Sequence, residues 1–219
     1  MKNTINLIKM DLELMPTWLA VVFLIISAGL MFIPIYPRFI SPFYMLIFII
    51  QTLGYEAEYG QKQFSAILPI TKTEYVRAKT LAIVMYESAA ILFTVPFAVI
   101  SANLFSNFDS FSFIPPNLTC LFQVLLSMSV FNILVINADF KDHFKVTPAF
   151  WGGMLLYAVI SGTIEVIVQS IPALGFMMGI SAHDLLLQLP FAAFAIIFFA
   201  LTAYISYRSA ARNYEKAEI

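Results

Sequence analysis

The amino-acid sequence predicts an all-α integral membrane protein, one domain over residues 1–219 with six transmembrane helices and both termini in the cytoplasm. Three observations carry that expectation. The chain is 61% hydrophobic and 11% charged, with a mean hydropathy of +0.87, whereas soluble domains are about 45–50% apolar and about 25% charged. Six apolar stretches approach the roughly 20 residues a helix needs to cross a hydrocarbon core about 30 Å thick while satisfying its own backbone hydrogen bonds. Eleven of the twelve Lys and Arg fall on one alternate set of connections. A water-soluble globule is thereby excluded. So is a disordered chain, because 22 Phe and 10 Tyr offer far more burial than a solvated polymer carries. The net charge of −1 says nothing about partners, and the single Cys forbids an internal disulfide.

Residues 1–16 come first and read as an amphipathic interfacial helix. Lys2, Asn6, Lys9 and Glu13 share one stripe, and Ile5, Ile8, Leu12 and Met15 another. Such a segment lies flat at the cytoplasmic surface, either as a plain anchor or as a transmitter of motion. The first span covers residues 17–35. It is retained as a span rather than cleaved as a signal peptide, because charged residues precede it and no small-x-small site follows its end at Pro34. The second, residues 39–55, is short, and Pro34, Pro37 and Pro42 set where helix stops and starts. The remaining spans are 80–104, 118–137, 148–171 and 185–207. Short loops rich in Lys and Arg stay inside. Lys2 and Lys9, then Lys62, Lys72, Arg77 and Lys79, then Lys141 and Lys145, then Arg208, Arg212 and Lys216 lie on one side, against Arg38 alone on the other. Both ends are therefore placed in the cytoplasm.

The connection 56–79 is the largest polar feature. A short helix runs from about Glu58 to Leu68, where Pro69 pushes its predecessor out of the α region. Thr71 and Glu74 have capping-box spacing and start a helix that continues into the third span. Phe64, Ile67, Leu68 and Ile70 are more apolar than a merely solvated turn requires, and they call for a partner surface.

The string Leu68-Pro69-Ile70-Thr71-Lys72-x-Glu74-x-Val76-x-x-Lys79, preceded by Phe64 and by Glu56 and Glu58, resembles the first cytoplasmic loop of ABC-2 type permeases. The likeness extends to six spans with both ends inside. In size and style the chain is also similar to the small permease subunits of phenol-soluble modulin exporters. The family often has adjacent acids where Glu56 and Glu58 are separated, and usually Arg at Lys72. The resemblance implies a permease fold of the type V exporter kind in a bacterial cell membrane. It also implies a coupling helix in this loop that docks on a nucleotide-binding ATPase subunit. Carried over, Glu58, Phe64 and Leu68 belong to the docking element, while Pro69, Glu74 and Lys79 shape the turn into the third span. The implied partners are ATPase subunits that hold ATP and Mg, a second permease copy or homologue, and an amphipathic peptide or lipid-like cargo. No cofactor and no enzymatic activity are expected of this chain, since none of its eight Gly is followed by Lys as a phosphate-cradling loop requires.

Two carboxylates lie within spans, Glu87 in the third and Glu165 in the outer half of the fifth. A charged group at mid-span costs about 2.5–3.5 kcal/mol on insertion scales, so each must face protein or water. Each reads as part of a substrate pathway or gate, or as a carboxyl that locks helices together. Residues 170–184, broken by Pro172, Gly175 and Gly179, are too short to cross and form either a re-entrant outer segment or a loop lying on the headgroups. His183 with Asp184, His143 and Cys120 form no catalytic set, because a nucleophile needs a base and an orienting third group. Asn117-Leu118-Thr119 has the form of a glycosylation sequon, a pattern that chance also produces. A transporter or channel that works without ATP, with Glu87 titrating in an ion-coupled cycle, is the alternative reading of the chain.

Overall fold

The computed structural model describes residues 7–8, 17–33, 36–58, 70–104, 113–141 and 146–216. The described residues hold six principal α-helices and no strand: α1 (Thr17–Leu30), α2 (Ile40–Glu58), α3 (Lys72–Leu104), α4 (Leu118–Asp139), α5 (Val146–Ser170) and α6 (Ala182–Lys216), with a 3₁₀ helix at Pro172–Met178 between the last two. Four of them, α3 to α6, are long and apolar enough to cross a membrane. At 14 residues, α1 rises only about 21 Å at 1.5 Å per residue. It ends five residues before the expected limit because the amides of Met31, Phe32 and Ile33 turn back onto the carbonyls of Ala28, Gly29 and Leu30. The expected interfacial helix over residues 1–16 lies outside the described residues apart from Leu7 and Ile8, which are helical.

Helix α4 is central. It packs chiefly on α6 and α5, and 67% of its apolar stretch is buried, against 22%, 33% and 28% for α3, α5 and α6. Its polar residues follow that burial. Ser127 and Ser129 donate to the carbonyls one turn earlier, at Gln123 and Leu125, as hydroxyls must where no water reaches them. The approach of α5 is close enough that a Cβ on Gly153 would lie 2.9 Å from Cδ2 of the Phe131 ring, whereas Gly152 has nothing within 4 Å. Gly153→Val should therefore cost about 1–3 kcal/mol by overpacking. Gly152→Ala should be neutral or gain up to about 1 kcal/mol from helix propensity. Thermal unfolding of the two variants in detergent checks the contrast, and equal midpoints would contradict the close contact.

The helices alternate in direction, as the contacts at each end establish. At one end Thr73 Oγ1 donates to Glu215 Oε1 at 2.9 Å, and Tyr75, Phe140 and Tyr214 form a ring cluster with centroids 5.3–6.1 Å apart. Lys72 Nζ lies 5.5 Å from the centroid of the Tyr214 ring. At the other end Ser101 Oγ donates to Met31 O at 2.5 Å, joining the close of α3 to the close of α1. Reciprocal bonds tie α1 to α2, Ser27 Oγ to Ser41 O at 2.8 Å and Ser41 Oγ to Ser27 O.

Candidate functional site

The sequence-derived site residues fall into three places. The first is the base of the connection between α2 and α3. Glu58 is the last residue of α2, while Phe64, Leu68 and Pro69 lie outside the described residues. On the far side Thr71 and Glu74 bond reciprocally: the Glu74 amide donates to Thr71 Oγ1 at 3.1 Å and the Thr71 amide to Glu74 Oε2 at 3.1 Å. This is the capping box that the spacing predicts, and it sets the first turn of α3. Lys79, two turns further, forms an ion pair with Glu56 of α2, the two side chains 1% and 6% exposed. The pair joins α2 to α3 near the end of the first and the start of the second. In the sequence Glu56 stands out only as one of two separated acids. Its pairing with Lys79 depends on how the helices pack.

The second place is mid-helix. Glu87 is fully buried on α3, and its Oε2 accepts from Asn132 Nδ2 of α4 at 2.7 Å. Glu87 Oε1 and Asn132 Oδ1 have no hydrogen-bond partner among the described residues. Helix α3 packs chiefly on α6, α1 and α2, and this polar pair ties it to α4. Sequence reasoning misses Asn132, although an amide in an apolar run carries the same signal as a carboxylate: it wants a partner inside the bundle.

Third, Glu165 is buried near the end of α5 and saturated with donors. Its Oε1 accepts from the Ile114 amide and from Gln169 Nε2 at 3.0 Å, and its Oε2 from Gln123 Nε2 at 3.1 Å. Gln123 also donates to Ser161 O at 2.8 Å, and the hydroxyls of Ser127 and Ser161 lie 2.8 Å apart. Arg38, 1% exposed in the connection between α1 and α2, senses the Glu165 charge. Burial pulls the guanidinium pKa down, and the nearby Glu165 carboxyl partly opposes that pull. Glu165 thus braces three segments.

Beside this network the segment 172–180 is pinned. Asn117 Nδ2 donates to Met177 O and Gly179 O, both at 2.9 Å, and Gln188 Nε2 to Phe176 O at 2.7 Å and Gly179 O at 2.9 Å. Asn117 Oδ1 accepts from the Cys120 amide and so caps α4. With its nitrogen held by two carbonyls, Asn117 serves the fold here. Ser181 and Asp184 cap α6 reciprocally, Ser181 Oγ donating to Asp184 Oδ2 at 2.6 Å, and a Cβ on Gly179 would collide with that carboxylate. Asp184 is thereby committed to structure. Among the described residues no group of three or more His, Cys, Asp or Glu is placed to hold a metal ion. No protein-family model, no curated protein and no solved structure matches the chain.

Proposed function

We propose that this chain is the membrane-spanning subunit of an ATP-driven exporter of the ABC-2 type: six spans, both termini cytoplasmic, in a bacterial cell membrane. In this reading separate nucleotide-binding subunits hold ATP and Mg and dock on the loop 56–79, and a second permease completes the pathway. The cargo is amphipathic or hydrophobic, such as a peptide.

The observation that carries the reading is the mechanical continuity at the loop. The Glu56–Lys79 pair ties α2 to α3 at the loop's base, and α3 is a single helix of 33 residues, about 50 Å at 1.5 Å per residue, with one backbone hydrogen bond missing at Pro96. A push on Phe64 or Leu68 reaches both helices as one lever and is delivered to the opposite end of the bundle, where Ser101 holds the close of α1. In this reading Glu58, Phe64 and Leu68 are the docking residues, Pro69, Glu74 and Lys79 orient the turn, and Glu87 and Glu165 belong to the substrate pathway or gate.

The test is purification from native membrane followed by reconstitution. A stoichiometric ATPase should accompany the chain, and vesicles holding both should concentrate an amphipathic peptide only with ATP. Phe64→Asp or Leu68→Asp should abolish uptake while ATP turnover and membrane insertion persist. Vectorial transport by the chain alone would overturn the proposal in favour of the second reading, an ion-coupled transporter. That reading is supported by Glu87, fully buried with Oε1 unpartnered among the described residues.

A further inference from the structure

A cleft of about 320 Å³ opens between α3 and α4 in the half of the bundle that holds the start of α4, away from the loop 56–79. Its walls are Ile91, Val95 and Ala98 of α3 and Leu121 and Val124 of α4, with Met31, Pro42 and Leu185 contributed by neighbouring segments. It merges outward with a surface of exposed apolar side chains on α3, among them Leu92 and Val99, of the kind a membrane helix turns to lipid.

We propose that this cleft is a binding site for one acyl chain of a bilayer phospholipid. The chemistry of the lining selects the occupant. No charged side chain lines it, and its polar side chains are largely spent: Thr94 Oγ1 donates to Ile91 O at 2.9 Å, and Asn117 uses its nitrogen on two carbonyls and its oxygen on the Cys120 amide, which leaves the Thr94 oxygen as an acceptor and the free Cys120 thiol. Water needs two to four polar partners to stay in a cavity, and one hydroxyl oxygen with its proton already used and one weakly polar thiol are poor anchors for it. A polypeptide backbone would carry N–H and C=O groups with nothing to meet them. A lipid headgroup finds no counter-charge inside. A facing helix of a second copy offers only side chains, and 320 Å³ is about twice the 150 Å³ cavity that accommodates a benzene ring, so one inserted ring leaves the cleft half filled. An unfilled remainder forfeits dispersion contacts along both walls. A flexible hydrocarbon chain fills the space without leaving any polar group unmatched. The site depends on α3 and α4 together with Met31, Pro42 and Leu185, which complete its lining, and is independent of the transport reading.

The whole chain, reconstituted in vesicles of phosphatidylcholine carrying a diazirine midway along one acyl chain, is irradiated and the adducts are mapped by mass spectrometry. Adducts on Ala98, Leu121 and Val124 should exceed several-fold those on Ile196 and Ile197, which report ordinary bilayer contact on α6. Ala98→Phe should lower the cleft adducts to that background and leave the α6 adducts unchanged. Leu121→Phe serves as a second blocking variant if the first folds poorly. Cleft adducts at the α6 level in the native chain, adducts undiminished by both fillings, or cross-links joining two copies through these residues would overturn the assignment.

Discussion

Lys79→Met is expected to destabilise the protein by about 3–5 kcal/mol, the cost of removing one member of a buried ion pair and stranding the other. The side chains of Lys79 and Glu56 are almost completely enclosed, so solvent cannot neutralise what is left behind. The pair as a whole is a different matter. Desolvating two charges consumes most of their attraction, and replacing both with apolar groups of similar volume is often neutral or favourable. The double variant Glu56→Leu with Lys79→Met should therefore recover most of the loss. Thermal unfolding in detergent across the four members of the cycle gives the coupling energy. A Lys79→Met protein as stable as the parent would show that the two helices are held by other contacts. The same cycle bears on coupling, because the double variant restores stability without restoring a charged clamp. If transport by the reconstituted complex recovers with stability, the clamp works through rigidity and not through charge.

Much of this architecture is legible in the apolar runs alone, and the departures have local causes. Hydropathy carries the first span to residue 35, yet α1 closes at Leu30. Pro34 disfavours helix at Ile33, and the last carbonyls are taken by a tight turn before the proline is reached. At the other extreme hydropathy stops the sixth span at residue 207, while α6 continues to Lys216. Ala210, Ala211 and Tyr214 remain buried there, and Ala, Arg, Glu and Lys favour helix whether or not the turn lies in lipid. The candidate site is half legible. Glu87 and Glu165 stand out because a carboxylate in an apolar run needs a reason. Their partners Asn132, Gln123 and Gln169 carry a weaker version of the same signal, and which amide meets which carboxylate depends on helix rotation, which periodicity leaves open. The buried Ile114 amide that reaches Glu165 lies outside the helices, and no side-chain pattern announces it.

The Glu165 network gives the second large expected effect. Glu165→Leu removes the acceptor for three donors on three segments, the Ile114 amide, Gln123 and Gln169. At about 0.6 kcal/mol for an average interhelical hydrogen bond in a bilayer, the Gln123 bond, which alone of the three joins two helices, is a minor part of the loss. Buried donors left without a partner cost more, about 1–3 kcal/mol each, and this penalty decides the outcome for the Ile114 amide because a backbone group cannot rotate away. Arg38, almost wholly buried, also loses an opposing charge. A total loss of at least about 3 kcal/mol is expected. Glu165→Gln should lose less, since an amide oxygen still accepts from Ile114, although its NH₂ now faces the donors of Gln123 or Gln169. Adding Gln123→Leu to Glu165→Gln removes one of those opposed donors and should recover part of the difference. Unfolding midpoints in detergent order the variants, and hydrogen exchange at Ile114 gives a local readout: protection should fall sharply in Glu165→Leu and partly persist in Glu165→Gln. Equal protection in the parent and in Glu165→Leu would mean that the Ile114 amide is shielded by packing and not by the carboxylate.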